Sequence, residues 1–128
     1  MRVRALAAAA VMATVFASAQ VGIGVGAPVP TATPSATLSL VAKEFLYEPK
    51  QLLGKAGEVT FTIKNTGSVE HDFAVEDAKG KMLAQVKSFA PGKTIQAKAK
   101  LNAGAYKVFC SIPGHREAGM EATLVVRP

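Results

Sequence analysis

The sequence is poor in several residue types, and each shortage limits what the protein is. Its 128 residues include one cysteine, two histidines, no tryptophan, six phenylalanines and two tyrosines. A single cysteine excludes an intramolecular disulfide framework and any zinc site built on cysteine pairs. The length allows one domain and not two. An apolar content of 49% excludes disorder of the whole chain.

Acidic residues are also scarce, with nine Asp and Glu against fifteen Lys and Arg and a formal net charge of +6. The lysines are scattered along the chain. They lack the clustering and the interleaved aromatic residues that are typical of nucleic-acid binding. We therefore expect no nucleic-acid partner, and a solvated surface whose positive charge favours the approach of an acidic partner.

The N-terminal region contains no charged residue between Arg4 and Lys43. Residues 1–19 combine a basic start, an alanine-rich apolar run and small residues at 17–19, which is the pattern of a signal peptide cleaved before Gln20. The alternative is an uncleaved membrane anchor, since the uncharged stretch is long enough to span a bilayer. Both readings place the folded part outside the cytoplasm, in the periplasm or on the outer face of the cytoplasmic membrane.

Residues 20–35 are rich in Gly, Pro and Thr and predict a flexible linker. The folded domain is expected to cover residues 36–128. Its apolar residues alternate with a period of two, which is typical of strands. The clearest alternations lie at 59–63, 71–75, 95–101, 106–110 and 120–126. Turn signals between these segments have the spacing of a small antiparallel sandwich or barrel.

Both histidines, the only cysteine and one methionine fall in a pattern that this alternation does not require. Cys110 ends one predicted strand and Met120 begins the next, with His115 in the loop between them. If the two strands are neighbours, the loop brings a thiol, an imidazole and a thioether to one end of the sandwich. His71 heads another predicted strand. Two imidazoles, a thiolate and a weak thioether are the ligand set of blue-copper electron-transfer sites.

Taken singly, each of these residues has a simpler interpretation. His71 would be a structural or surface histidine, Met120 a filler of the core and Cys110 a small buried hydrophobic residue. Their combination instead favours one copper ion, cycling between Cu(I) and Cu(II) and bound by His71, Cys110, His115 and Met120.

A longer series of motifs carries a family resemblance. The motifs are Phe45, Pro49, Ala56-Gly57, Asn65-Thr66-Gly67, His71-Asp72-Phe73, Pro91-Gly92, Gly104-x-Tyr106-x-Val108-x-Cys110 and a closing Cys-x4-His-x4-Met. Together they resemble a small cupredoxin of the plastocyanin-like or auracyanin-like blue copper type. The resemblance covers residues 36–128. It implies an all-β Greek-key sandwich of about seven to eight strands, with copper near one end.

The resemblance also implies two features around the metal. One is a contact from Asp72 to Ser111 that ties the first histidine's strand to the residue after Cys110, where many members have Asn instead of Asp. The other is a docking patch for redox partners, formed by Pro113, Gly114, His115, Ala118 and Gly119. The gap between Cys110 and His115 is longer than in typical plastocyanins, so the resemblance implies the broad family and not a plastocyanin role.

These observations predict a monomeric electron carrier, not an enzyme, that moves one electron between a donor and an acceptor redox protein such as a cytochrome or an oxidase. A membrane tether through the N-terminal segment stays open. Copper storage or delivery in the periplasm is the main alternative, since it needs the same ligands. An enzyme with Cys110 as nucleophile and a histidine as base lacks an evident third, orienting group. A metal-free structural sandwich is the remaining alternative.

Overall fold

The computed structural model describes residues 32–128. Within these residues the chain forms nine strands: β1 (Thr37–Lys43), β2 (Leu46–Glu48), β3 (Gln51–Lys55), β4 (Gly57–Asn65), β5 (His71–Asp77), β6 (Met82–Phe89), β7 (Thr94–Leu101), β8 (Gly104–Phe109) and β9 (Glu121–Arg127). The predicted signal peptide and residues 20–31 of the predicted linker lie outside the described residues. In residues 32–128 we find no helix with the length and hydropathy needed to cross a membrane.

The strands form two sheets, one in the order β2-β1-β4-β7 and one in the order β3-β9-β8-β5-β6. This confirms the predicted β-sandwich, with nine strands instead of seven to eight. The additional short elements include β2, which has only three residues and is too short for an alternation to be recognised.

Two of the strand pairs are parallel, which the turn signals did not predict. β1 runs parallel to β4, and β3 runs parallel to β9. The chain crosses from one sheet to the other after β2 and returns after β3. It therefore re-enters the first sheet at β4 in the direction of β1. Turn signals report local reversals of the chain and contain no information on such crossovers.

The core lies between the sheets and is filled by the alternating residues. Phe61 of β4 is opposite Ala97 of β7, and both are buried. Pairing a large ring with a small side chain lets the layers interdigitate at the density of protein interiors. The centroid of the Phe61 ring lies 5.1 Å from that of the Phe73 ring. The Phe73 centroid lies 6.1 Å from that of the Tyr47 ring. This aromatic cluster supports β5 close to His71.

Strand β6 was not predicted, because most of its side chains are exposed at the edge of the five-stranded sheet and show no clear alternation. Its pairing with β5 contains an irregularity. His71 is opposite Phe89 and Phe73 is opposite Val86, so two residues of β6 face the single residue Asp72. One of the two, Ser88, has a φ of 42°. This β-bulge turns the backbone N–H of Ser88 toward Asp72.

Candidate metal centre

Two of the predicted ligands lie at the ends of neighbouring strands. His71 is the first residue of β5, and Cys110 directly follows β8. The two strands pair antiparallel, with Ala74 opposite Phe109. The start of β5 and the end of β8 therefore meet at the same end of the sheet. Both ligand side chains are completely buried.

The other two ligands lie on the segment that joins β8 to β9. Its backbone closes on itself, because His115 N–H donates to the Ile112 carbonyl at 3.0 Å and Met120 N–H donates to the His115 carbonyl at 3.0 Å. Cys110 N–H donates in turn to the Met120 carbonyl at 3.1 Å. These bonds bring Met120 beside Cys110. Met120 is buried, whereas His115 is partly exposed.

The ligand atoms converge on one point. Nδ1 of His71 lies 3.3 Å from Nδ1 of His115, which lies 3.5 Å from Sγ of Cys110. The three residues offer ligand atoms that all lie within 4.8 Å of one another. Nitrogen and sulfur ligands bound at about 2.0 and 2.3 Å to one tetrahedral ion are about 3.3–3.6 Å apart. The spacing therefore fits ligands around a single ion.

Burial sets the protonation of these donors when no metal is bound. It lowers the pKa of His71, and the neighbouring His115 lowers it further. Burial also raises the pKa of the Cys110 thiol, although backbone N–H groups of Asp72 and Ile112 oppose this shift. The thiol must therefore give up its proton when a metal binds. Reactive catalytic cysteines show the opposite, a depressed pKa and partial exposure.

Asp72 connects the elements around the site through all of its polar groups. Its N–H donates to Sγ of Cys110 at 3.3 Å, and its carbonyl accepts from the hydroxyl of the buried Tyr47. Its carboxylate accepts from the Ser111 hydroxyl and from the Ser88 N–H, each at 2.5 Å. The structure thus brings Asp72 and Ser111 together and adds two partners, Tyr47 and Ser88, that the sequence did not indicate.

A family model described as Cupredoxin-like domain matches residues 5–126. The chain belongs to the cupredoxin family. His71, Cys110, His115 and Met120 are arranged like a type 1 copper site. The predicted family, sandwich fold and copper cofactor are therefore confirmed.

Solved structures share the fold of this cupredoxin. The auracyanin of Roseiflexus castenholzii is 21% identical, with a TM-score of 0.66 over 75% of this chain and 100% of that protein. Auracyanin A of Chloroflexus aurantiacus, described as a blue copper protein, is 21% identical, with a TM-score of 0.63 over 74% of this chain and 100% of its own. A blue copper oxidase of Nitrosomonas europaea is 19% identical, with a TM-score of 0.59 over 72% of this chain and 38% of the oxidase. No curated protein matches the chain.

The surface of the cupredoxin around His115 includes several small or apolar residues. Pro113, Gly114, Ala118 and Gly119, the remaining residues of the predicted docking patch, are all exposed. The structure adds Phe45, which is 44% exposed and meets His115 edge to face, with 5.2 Å between the ring centroids. Phe45 lies in the β1–β2 loop. Nothing in the sequence spacing placed it beside His115.

A second residue that the sequence did not indicate is Arg116. Its guanidinium bonds Glu76 of β5 and Glu121 of β9 and lies 4.0 Å above the centroid of the Phe109 ring. Arg116 therefore fastens the loop that carries His115 to three strands of the five-stranded sheet. Its partners lie far apart in the sequence, so only its position next to a ligand could have drawn attention to it.

Proposed function

We propose that this cupredoxin is a one-electron carrier that works outside the cytoplasm, with a copper ion held by His71, Cys110, His115 and Met120. The observation that carries the proposal is the convergence of the two Nδ1 atoms and Sγ within 4.8 Å. A bound copper ion supplies the redox change, because sulfur ligands favour Cu(I) and imidazoles suit both oxidation states. No substrate is transformed.

The residues of the chain hold the geometry constant during this change. His71 and Cys110 are buried at the meeting ends of two paired strands. A preorganised site on rigid strands needs little rearrangement between oxidation states. The N–H of Asp72, at 3.3 Å from Sγ, stabilises negative charge on the sulfur, and such bonds tune the reduction potential of blue-copper sites.

We place the route for the electron at the exposed edge of His115. Apolar patches on soluble proteins commonly mark contact sites, and the patch here joins Phe45 to the loop. Phe45 has a φ of 57°, a conformation that is strained for a residue other than glycine. Strain of this kind concentrates at functional sites, which supports a role for the exposed ring. The docking surface consists of Phe45, Pro113, Gly114, His115, Ala118 and Gly119.

The partners are a donor and an acceptor redox protein, such as a cytochrome or an oxidase, which the monomeric carrier meets in turn. Redox encounters of this kind use small, weak interfaces. The excess of basic residues favours partners with acidic surfaces, and such steering weakens as salt rises.

We assign no enzymatic activity to the chain. The only cysteine is buried, and burial raises the pKa of its thiol, which is unfavourable for a nucleophile.

Titration with Cu(II) tests the proposal. The purified protein with reduced Cys110 should develop an intense thiolate-to-copper band that saturates at one equivalent and disappears on reduction. Cys110→Ser should lack the band. Met120→Leu should shift it and raise the reduction potential, whereas the matched control Met82→Leu, at an exposed methionine of β6, should change neither. Absence of the band from the wild type contradicts the proposal. A band without reversible electron exchange favours copper delivery.

The export of the protein is part of the same proposal. The domain boundaries are a signal peptide at 1–19, a linker at 20–35 and a cupredoxin domain at 36–128. Mass spectrometry of the protein recovered from the cell envelope should find Gln20 at the N-terminus. An intact N-terminal segment in the membrane fraction would instead identify a tether.

A further inference from the structure

One ring nitrogen of His71, Nε2, has no hydrogen-bond partner among the described residues. Nε2 of His71 is buried and forms no hydrogen bond with any residue in the described range 32–128. An imidazole that binds a metal through Nδ1 carries its proton on Nε2. Histidine ligands in metalloproteins almost always donate that proton to a carboxylate, a carbonyl or a water. A buried donor without an acceptor costs about 1–3 kcal/mol, so the bound state calls for an acceptor close to Nε2.

Gly67 marks the space where this acceptor must lie. A methyl group built on Gly67 would come within 3.1 Å of Nε2 of His71 and within 2.5 Å of Oε1 of Glu44. The ring nitrogen and the carboxylate oxygen therefore approach the same point above Gly67. Any side chain at position 67 would fill the space between them.

The carboxylate of Glu44 is held in this place. Its Oε1 accepts hydrogen bonds from the backbone N–H of Ser68 and from the Ser68 hydroxyl, the latter at 3.0 Å. The Ser68 N–H is also the main reason why the pKa of Glu44 is lowered to about 2. Glu44 is therefore ionised at every pH at which the protein would work.

The loop that carries Gly67 and Ser68 is itself well ordered by Asn65. The buried amide of Asn65 accepts from the Gly67 N–H at 2.9 Å and donates to the carbonyls of Val69 and Phe89 at 2.8 and 3.0 Å. The loop thus presents the glycine and the Ser68 N–H at fixed positions beside His71. Glu44 comes from a different loop, between β1 and β2, so the approach depends on the tertiary fold.

We propose that Glu44 is a positioning residue of the copper site. Its carboxylate accepts a hydrogen bond from the Nε2–H of His71 across the space that Gly67 leaves. This inference rests on the proposed copper function and deepens it. The contact holds the imidazole with Nδ1 toward the metal. It also places one fixed negative charge beside the site, which stabilises Cu(II) relative to Cu(I) and lowers the reduction potential.

Nuclear magnetic resonance of the imidazole protons tests the contact without any redox activity. In the protein loaded with Zn(II), the Nε2–H of His71 should resonate far downfield and exchange slowly with water. Glu44→Ala should move the signal upfield and speed exchange about tenfold or more, as expected for loss of a hydrogen bond to a charged group. Glu44→Gln keeps an oxygen acceptor and should lie between the two.

Reduction potentials of the copper-loaded variants test the charge. Glu44→Gln and Glu44→Ala should both shift the potential upward. The matched control is Glu58→Gln, which removes the same charge at the other end of β4, about 20 Å along the strand from the end that leads to Gly67. This control should shift the potential much less. Gly67→Ala should displace the carboxylate and change the potential in the same direction as Glu44→Ala.

Each outcome decides between the hypotheses. An unchanged Nε2–H signal in Glu44→Ala shows that another group accepts the proton and overturns the inference. Equal shifts in Glu44→Gln and Glu58→Gln overturn the role of the charge. Failure of the wild type to form the blue copper band would refute the proposed function alone. In that case the nitrogen shifts of His71 in the metal-free protein still decide the contact, since wild type should hold the Nε2–H tautomer and Glu44→Ala a mixture.

Discussion

The two sides of the metal site are held by different means. His71 and Cys110 lie at the meeting ends of paired strands, are fully buried and are linked through the backbone of Asp72. His115 lies on a loop at the surface, partly exposed, and its loop is fastened by the side chain of Arg116. The buried side determines the geometry around the metal. The loop side keeps one ligand accessible, and this accessibility is what an electron carrier needs.

The largest effect on stability is expected on the buried side. Asp72→Ala removes the acceptor of the Ser111 hydroxyl and the Ser88 N–H. Because both hydrogen bonds are only partly buried, their loss should lower the free energy of unfolding by about 1–3 kcal/mol. Chemical denaturation of the metal-free protein measures this change. Asp72→Asn, which keeps one oxygen acceptor, should lose less, and an equal loss in both variants would show that charge matters more than hydrogen bonding.

The pH dependence of the metal-free protein also reports on the buried side. Burial lowers the pKa of His71 in the folded state, so the unfolded chain binds a proton that the folded chain does not. Stability should therefore fall as pH drops below the ordinary histidine pKa of about 6.5, with a slope of up to about 1.4 kcal/mol per pH unit. The raised pKa of Cys110 has the opposite consequence, because the unfolded thiol ionises first as pH rises above 9.0.

Thermal unfolding between pH 5 and 10 measures both limbs. His71→Gln should flatten the acid limb, and Cys110→Ser should flatten the alkaline limb. A profile that is identical in wild type and both variants would contradict this account.

A smaller effect is expected on the loop side. Arg116→Met removes ion pairs to Glu76 and Glu121 and the contact over the Phe109 ring. Partly exposed contacts of these kinds contribute about 1–2 kcal/mol together. We expect faster hydrogen exchange at the amides of the loop, with the copper band retained. The control Lys98→Met, in an ion pair with both side chains 61% exposed, should change neither. Loss of the copper band in Arg116→Met would show that the fastening of the loop is as necessary for metal binding as the paired strands are.

The smallest effect on stability is expected at Phe45. Its ring is partly exposed, so Phe45→Ala should change the free energy of unfolding by less than about 1 kcal/mol. Electron self-exchange between the Cu(I) and Cu(II) forms, measured by line broadening, should nevertheless slow down. Phe45→Gly should be more stable than Phe45→Ala, because glycine adopts a φ of 57° without strain. An unchanged self-exchange rate would exclude Phe45 from the docking surface.

Much of the fold could be predicted from local patterns. The alternation at 59–63 and 95–101 corresponds to β4 and β7, because each of these strands has one buried face and one exposed face. The alternation failed at β6, where most side chains are exposed. Parallel pairing of β1 with β4 also escaped prediction, since it depends on a crossover between sheets and not on any local sequence signal.

The candidate site also has a part that could be predicted from the sequence and a part that could not. Ligand types and spacing within one short segment drew attention to Cys110, His115 and Met120. Arg116 and Glu44 act through partners on distant elements, so their roles depend on tertiary contacts that no spacing in the sequence reveals. The ligands could be predicted from their residue types, whereas the contacts that Arg116 and Glu44 make with distant elements could not.

The position of β9 has a consequence for the order in which the molecule forms. It is the last of the nine strands along the chain, yet it lies between β3 and β8 in its sheet. Until it is in place, β3 has no neighbour in this sheet and β8 presents an open edge, which invites association with other chains. During synthesis from the N-terminus, β3 and all four copper ligands emerge before the strand that completes their sheet. The metal site is therefore complete only after β9 has paired with β3 and β8. A metal ion that binds earlier binds to a partly folded chain.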